Sequence, residues 1–251
     1  MGYAPTHGRV NNQGVIPLAP SFDTVGWFAP TAETLRTVGQ HLLEGNSQSL
    51  ATRRVLVVEN CFRDLDDEAA RTAREGIEHL LAELSIESDS LTDFPDETTP
   101  LPDLYRTISG YEEWLVHGAW ISEHHPEFGP QVAERFANAA KVTAIQCALA
   151  GDVRARITSA AAALLADGSM LCFPTATSVA PLKGEADIPE IRLPLLRLTA
   201  LAGLAGLPQL NVPMRNRQGL PLGISFIAAS RRDNDLLDLA VELSHSLPLT
   251  R

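Results

Sequence analysis

Four consecutive apolar residues, Val55-Leu-Val-Val58, constrain what this chain can fold into more than any other feature. A run so short and so uniformly apolar turns no side toward water, and its valines favour extended backbone, so it reads as a strand covered on both faces. Acidic residues suited to a helix N-terminus follow at Asp66-Asp-Glu68. Ala73, Ile77, Leu80, Leu81 and Leu84 then fall on one helical face, and a second strand is expected within Ile86 to Leu91. Strand, helix and strand in succession predict an α/β layer.

The flanking segments extend that pattern. Residues 1 to 31 are rich in Gly, Pro, Asn and Ser and predict turns and loop. A helix is expected from Thr31, with Leu35, Val38 and Leu42 at helical spacing and a stop near Gly45-Asn46. Between Leu101 and Leu165 the pattern is helical, with breaks at Pro126 and Gly129-Pro130, where proline cannot continue a helix; the part from Gln131 to Ala166 is long and Ala-rich. Met170-Leu-Cys-Phe173 predicts a buried strand ending at Pro174, and Pro194 to Leu204 a helix with Leu195, Leu198 and Leu201 facing the core. Gln209 to Val212 and Leu222 to Ile227 predict two strands joined across Arg215-Asn-Arg-Gln-Gly219. An amphipathic helix is expected from Asn234 to Ser246. No repeat, low-complexity tract or linker divides the sequence, so residues 1–251 are expected to form a single domain.

Composition narrows the function. A chain of 251 residues, 45% hydrophobic and 20% charged, can bury one sizeable core. The net charge is −11 with Lys and Arg scattered, which leaves no basic stripe for nucleic-acid phosphates or anionic lipid. Cys61, Cys147 and Cys172 are far apart, matching neither a disulfide framework nor a CxxC motif, and fit a reducing cytoplasm. No apolar run reaches bilayer-spanning length, and the first residues lack a signal-peptide pattern. Neither nucleic acid nor membrane is an expected partner.

Three segments carry a family resemblance. Gly2-Tyr-Ala-Pro-Thr-His-Gly-Arg-Val10 with Gly14-Val-Ile-Pro-Leu-Ala-Pro-Ser-Phe-Asp-Thr-Val-Gly26 resembles the stretch just downstream of the nucleophile in amidase-signature enzymes. Leu171-Cys-Phe-Pro-Thr-Ala-Thr-Ser-Val-Ala-Pro181 is similar to the family's strand and loop that line the substrate funnel. Gly206-Leu-Pro-Gln-Leu-Asn-Val-Pro213, Gly219-Leu-Pro-Leu-Gly-Ile-Ser-Phe-Ile227 and Asp235-Leu-Leu237 resemble its C-terminal signature. Each alone is common loop chemistry; their order along the chain carries the resemblance. More narrowly, Asp23-Thr-Val-Gly-Trp-Phe28, His117-Gly-Ala-Trp-Ile121 and Pro126-Glu-Phe-Gly-Pro130 resemble the branch of plant indole-3-acetamide amidases and their chloroplast-envelope relatives, which suggests a small aryl or alkyl carboxamide substrate.

The resemblance implies the C-terminal half of the amidase fold: a partial mixed β-sheet flanked by helices, with residues 1–31 as the segment following the nucleophile region. It also implies a Ser-cisSer-Lys catalytic arrangement carried by the N-terminal half. No Gly-Gly-Ser segment occurs in these 251 residues, so no catalytic residue is assigned, and no cofactor is implied. Before Gly206, where many members carry an Asn, this chain has Leu201-Ala-Gly-Leu-Ala205. Trp27, Phe28, Thr175 and Ala176 are the residues expected to bind substrate. The first functional expectation is an amidase-family hydrolase component, inactive alone, that takes an N-terminal amidase half as partner or self-associates through an exposed sheet edge. The alternative is a non-catalytic binding or interaction module.

Other constellations have bland readings beside sharp ones. Glu113 and His117 share a helical face ahead of Glu123-His124-His125, and could hold a metal or simply form a helix end and a solvated turn; no metal is assigned. Ser178 and Lys183 match no Ser-Lys spacing. Asp23 sits in a Ser-Phe-Asp-Thr turn, where its carboxylate is expected to accept backbone N–H bonds two or three residues on. Trp27 and Phe28 fit either core packing or the wall of an acyl pocket. Cys61 follows a strand end and is read as a buried, inert thiol.

Overall fold

The structure, a computed structural model, describes residues 1–43, 54–95, 98–182 and 188–246. In the first thirty-one residues two short strands form, β1 (Gly2–Ala4) and β2 (Trp27–Phe28), where loop alone was expected. They exist because β1 finds a partner far along the chain, a contact that local composition does not reveal. Helix α1 (Ala32–Leu42) begins at Thr31, whose hydroxyl accepts the Thr34 N–H, and ends at Leu42; Gly45-Asn46 lie outside the described residues. The apolar run becomes β3 (Arg54–Val58). After a short 3-10 turn (Glu59–Phe62), Asp66 caps α2 (Asp67–Glu83), which buries Ala73, Ile77, Leu80 and Leu81.

Strand β4 (Glu87–Leu91) follows, its first four residues exposed. Helix α3 (Leu101–His124) stops before Pro126, and Pro130 opens α4 (Pro130–Ala139) at the position where a missing N–H costs nothing. The Ala-rich stretch divides here. Thr143 and Gln146 form a reciprocal capping box that starts a separate helix, α5 (Ala144–Leu164). Next come β5 (Met170–Pro174), α6 (Ile188–Ala205), β6 (Gln209–Arg215), β7 (Pro221–Ile227) and α7 (Asp233–Ser246).

The described strands form one mixed sheet in the order β2-β1-β6-β7-β5-β3-β4. β3 is parallel to both β4 and β5, and the remaining pairings are antiparallel. Trp27, Tyr3, Leu210, Phe226 and Cys172 lie opposite one another across five strands and therefore share a face. That face packs on α1, α2 and α7 in one core with Leu35, Ile77, Leu80, Leu236 and Leu243. On the other face, Leu56, Val58, Leu171, Phe173 and Ile227 pack against α3, α5 and α6 through Leu104, Ile108, Ile157, Leu201 and Leu204.

The outermost strands are blunted. β2 has two residues, and β4 presents Glu87, Ser88, Asp89 and Ser90 to solvent, with Asp89 paired to Arg54 at 2.6 Å. Among the described residues β4 is an exposed edge, and its composition is of the kind that discourages strand addition. Among the described residues no helix is long and apolar enough to cross a membrane.

Buried polar ties fix the helices to the sheet. Asp233, fully buried at the start of α7, accepts the Thr6 N–H and hydroxyl, each at 2.8 Å, and the Tyr3 hydroxyl at 3.1 Å. Burial, with the Asp233 carboxylate beside it, pushes the Tyr3 phenol well above its ordinary value. Between α3 and α4, the buried Glu113 receives a two-pronged bond from Arg135, whose guanidinium it holds above the usual range. Arg154 of α5 donates to Ser21 Oγ, Ser21 O and Leu204 O, holding the loop before β2 against α6.

Candidate functional site

The site region is built where β5 ends. The Thr175 N–H donates to Gly223 O at 2.8 Å, which continues the β5–β7 pairing one residue past Pro174. The Thr175 hydroxyl has one proton and donates it to Asn211 Oδ1 at 2.7 Å. The 2.8 Å contact between Thr175 Oγ1 and Ser225 Oγ must then be a bond that Ser225 donates, and Ser225 Oγ in turn accepts from Gln209 Nε2 at 2.7 Å.

The row thus has a direction, from the Gln209 amide through two hydroxyls to the Asn211 carbonyl, and it leaves the Asn211 Nδ2 group as a further donor. Glycine at 223 makes this possible, because a Cβ there would sit 2.2 Å from Asn211 Oδ1 and 3.0 Å from Thr175 Oγ1. The row runs from the fully buried Ser225 to the half-buried Thr175, Gln209 and Asn211, and its Asn211 amide end suits a neutral polar ligand atom such as a carbonyl oxygen. It holds no nucleophile activated by a base.

The expected substrate residues divide between the two sheet faces. Phe28, Gly2, Asn211, Ser225 and Phe173 lie opposite one another across β2, β1, β6, β7 and β5, so Phe28 shares the face of the Thr175 row. Its ring lies over Gly2, where a Cβ would meet it at 2.7 Å, and it is 90% exposed. Ala176 is half-buried in the loop following Thr175. Trp27, one residue from Phe28, points the other way, as strand alternation requires. It is buried on Tyr3 with ring centroids 4.8 Å apart and donates its indole N–H to Leu35 O at 2.9 Å. Of the two readings open for the aromatic pair, Trp27 takes core packing and Phe28 takes the surface.

The remaining candidates are engaged elsewhere. Glu113 is committed to Arg135, and His117 Nε2 donates to Pro17 O at 2.8 Å, which ties α3 to the loop before β2. His124 Nδ1 contacts Trp120 O at 3.1 Å in its own helix. Among the described residues no group of three or more metal-ligating side chains converges. Asp23 has the expected turn role but bonds backward, its two oxygens accepting the N–H groups of Leu18 and Ala19. Ser178 donates to Val179 O, and Lys183 lies outside the described residues. Burial pushes the Cys61 thiol up to about 12, which keeps it protonated and unreactive.

Sequence reasoning missed Gln209, Asn211 and Ser225. The signal was present: Gln209 and Asn211 alternate with Leu210 and Val212, the period of a strand with one face not fully buried.

No protein-family model matches the sequence. Three similar proteins are "Amidase 1" of Arabidopsis thaliana, 27% identical, the chloroplastic "Outer envelope protein 64" of the same plant, 24% identical, and "Indoleacetamide hydrolase" of Pseudomonas syringae pv. syringae, 26% identical. These matches cover 97%, 98% and 94% of this chain. A crystal structure of an amidase superposes with a TM-score of 0.82 over 98% of the chain, at 23% identity.

The chain is related to the amidase-signature enzymes. It has the α/β fold of their C-terminal portion, and that likeness runs along nearly all of its residues. It spans 64% of the length of the Arabidopsis Amidase 1, 57% of the indoleacetamide hydrolase and 58% of the amidase structure.

Proposed function

We propose that these residues form the substrate-facing part of a carboxamide hydrolase whose nucleophile is carried by polypeptide outside them, in the same chain or in a second one. Amide hydrolysis needs a nucleophile, a group to take its proton and donors for the oxyanion. The described residues supply none of the first two, while the relatives with hydrolase and amidase names are longer proteins.

One observation carries the reading. The Thr175–Asn211–Ser225 row lies on the same sheet face as a fully displayed phenyl ring, Phe28, at the β6-β1-β2 end. An exposed aromatic beside ordered polar groups is what a completed active site would use as apolar wall and carbonyl anchor. Thr175 and Ala176 then face the scissile amide, Phe28 the apolar substituent, and Trp27 holds β2 from the core side so that Phe28 keeps its place. The substrate class is a small carboxamide, as the name of the Pseudomonas relative suggests.

The test is ammonia release from a panel of aryl and alkyl carboxamides, with the chain alone and with a co-expressed segment bearing the Gly-Gly-Ser loops. Turnover is expected only with the added segment, and should fall in Thr175→Val. Turnover by the 251 residues alone would overturn the proposal.

A further inference from the structure

The polar row on the open face ends in an amide on each side, and an amide can turn either its oxygen or its nitrogen toward a neighbour. The two hydroxyls between them set no direction, since each can donate and accept. Which group Asn211 shows to a ligand is therefore decided at the ends of the row.

Gln209 and Asn211 alternate with Leu210 on β6, so their side chains emerge on the same side of the sheet. Ser225, opposite Asn211 on β7, is fully buried and has no access to water as a substitute partner. Gln209 Nε2 donates to Ser225 Oγ at 2.7 Å, which leaves the Ser225 proton for Thr175 and the Thr175 proton for Asn211 Oδ1. The Asn211 end agrees with this order. A hydrogen on Gly223 Cα points at Oδ1, along the line on which a Cβ would stand 2.2 Å away. An oxygen accepts that contact, whereas an amide N–H in its place would set hydrogen against hydrogen.

We propose that Gln209 is a positioning residue: by donating into the row it keeps the Asn211 N–H group free for a ligand, so that the site selects an acyl oxygen over an amine or ammonium donor. The inference rests on the carboxamide reading in taking this free donor as the group that meets substrate. Any compound offering a carbonyl oxygen satisfies the contact, whether or not its own nitrogen carries hydrogen.

A glutamate at 209 reverses the row. Its carboxylate only accepts, so the Ser225 hydroxyl turns to donate to it in a charge-assisted bond. Thr175 then donates to Ser225, and Asn211 turns its Nδ2 group inward to donate to Thr175. Gln209 is half-buried, so the new carboxylate keeps access to water.

The test is NMR of the Asn211 side-chain amide in the purified chain. In the wild type its hydrogens are expected to exchange freely with water and to show only weak NOEs to Thr175. In Gln209→Glu those NOEs should strengthen and the exchange slow about tenfold, the protection given by one hydrogen bond. In a Ser225→Ala background, where the row is cut, Gln209→Glu should leave the Asn211 amide unchanged. N,N-dimethylacetamide, an acceptor without N–H groups, should shift the Asn211 Nδ2 signals of the wild-type chain and not those of Gln209→Glu. None of these readouts uses turnover, so the inference and the hydrolase reading fail on different results. A wild-type amide with its N–H toward Thr175, an unchanged amide in Gln209→Glu, the same turn without Ser225, or a probe that shifts neither chain or both alike would each overturn the proposal.

Discussion

The two faces of the sheet are made by the same strands but finished differently. The face bearing Trp27, Tyr3, Leu210, Phe226 and Cys172 is closed from end to end by α1, α2 and α7. The opposite face is closed by α3, α5 and α6 over β3, β5 and part of β7, and it then passes to half-buried polar groups and the exposed Phe28 over β6, β1 and β2. A strand that buries both its faces has no room for function. The one-sided strands at the β2 end are where this molecule keeps groups that neither water nor its own core requires.

Two aromatic truncations should separate the faces most sharply. Phe226→Ala, on the closed face with no exposure, is expected to cost about 4 kcal/mol in denaturant unfolding because it leaves a cavity in a rigid core. Phe28→Ala should stay within about 0.5 kcal/mol, as surface changes do. Comparable losses for the two would break the distinction.

The next effect lies in the helices over the second face. Arg135→Met strands the Glu113 carboxylate, which is 1% exposed, and should cost about 3 kcal/mol by urea unfolding, the expected price of an unpaired buried charge. A neutral result would mean that α4 is not fixed on α3 as described.

The closed face also predicts a pH dependence. Cys172 and Tyr3 on that face, and Cys61 at the end of β3, have their ionisation pushed upward by burial. The folded chain keeps these protons while the unfolded chain releases them above about 8.5 for thiols and 10 for tyrosine. Their contribution is thus complete below pH 8.5 and is lost as pH rises, with a slope of up to about 1.4 kcal/mol per pH unit per group. Unfolding midpoints between pH 7 and 10.5 would check this; stability that rises over that range would contradict it.

A smaller loss than on the closed face is expected among the polar groups of the open side. Thr175→Val removes a donor to Asn211 and an acceptor for Ser225, at a cost of about 1 kcal/mol.

Much of this division was legible in the sequence. The all-apolar run at Val55 to Val58 announced a doubly covered strand, and the Thr31 and Asp66 caps placed two helix starts. The division of the Ala-rich stretch was not read, although Thr143 with Gln146 has the spacing of the capping box that starts α5. The short strands β1 and β2 were not legible, since Gly2-Tyr-Ala4 becomes a strand only by pairing with Gln209 to Asn211, some two hundred residues away. Of the candidate site, Thr175 and Ala176 were named by resemblance, and Thr175 takes part in the hydrogen-bonded row, whereas the opposite facing of Trp27 and Phe28 needed the strand assignment. Asn211 and Ser225 join Thr175 only through the register of β6 and β7.

If the proposed function holds, further polypeptide completes the β6-β1-β2 end of the second face. Backbone amide exchange on the chain, alone and with a segment carrying the Gly-Gly-Ser loops, tests this most directly. Added protection is predicted around Gly2, Phe28 and Asn211, with β4 unchanged. Protection confined to Glu87–Leu91, or none anywhere despite a demonstrated complex, would contradict it.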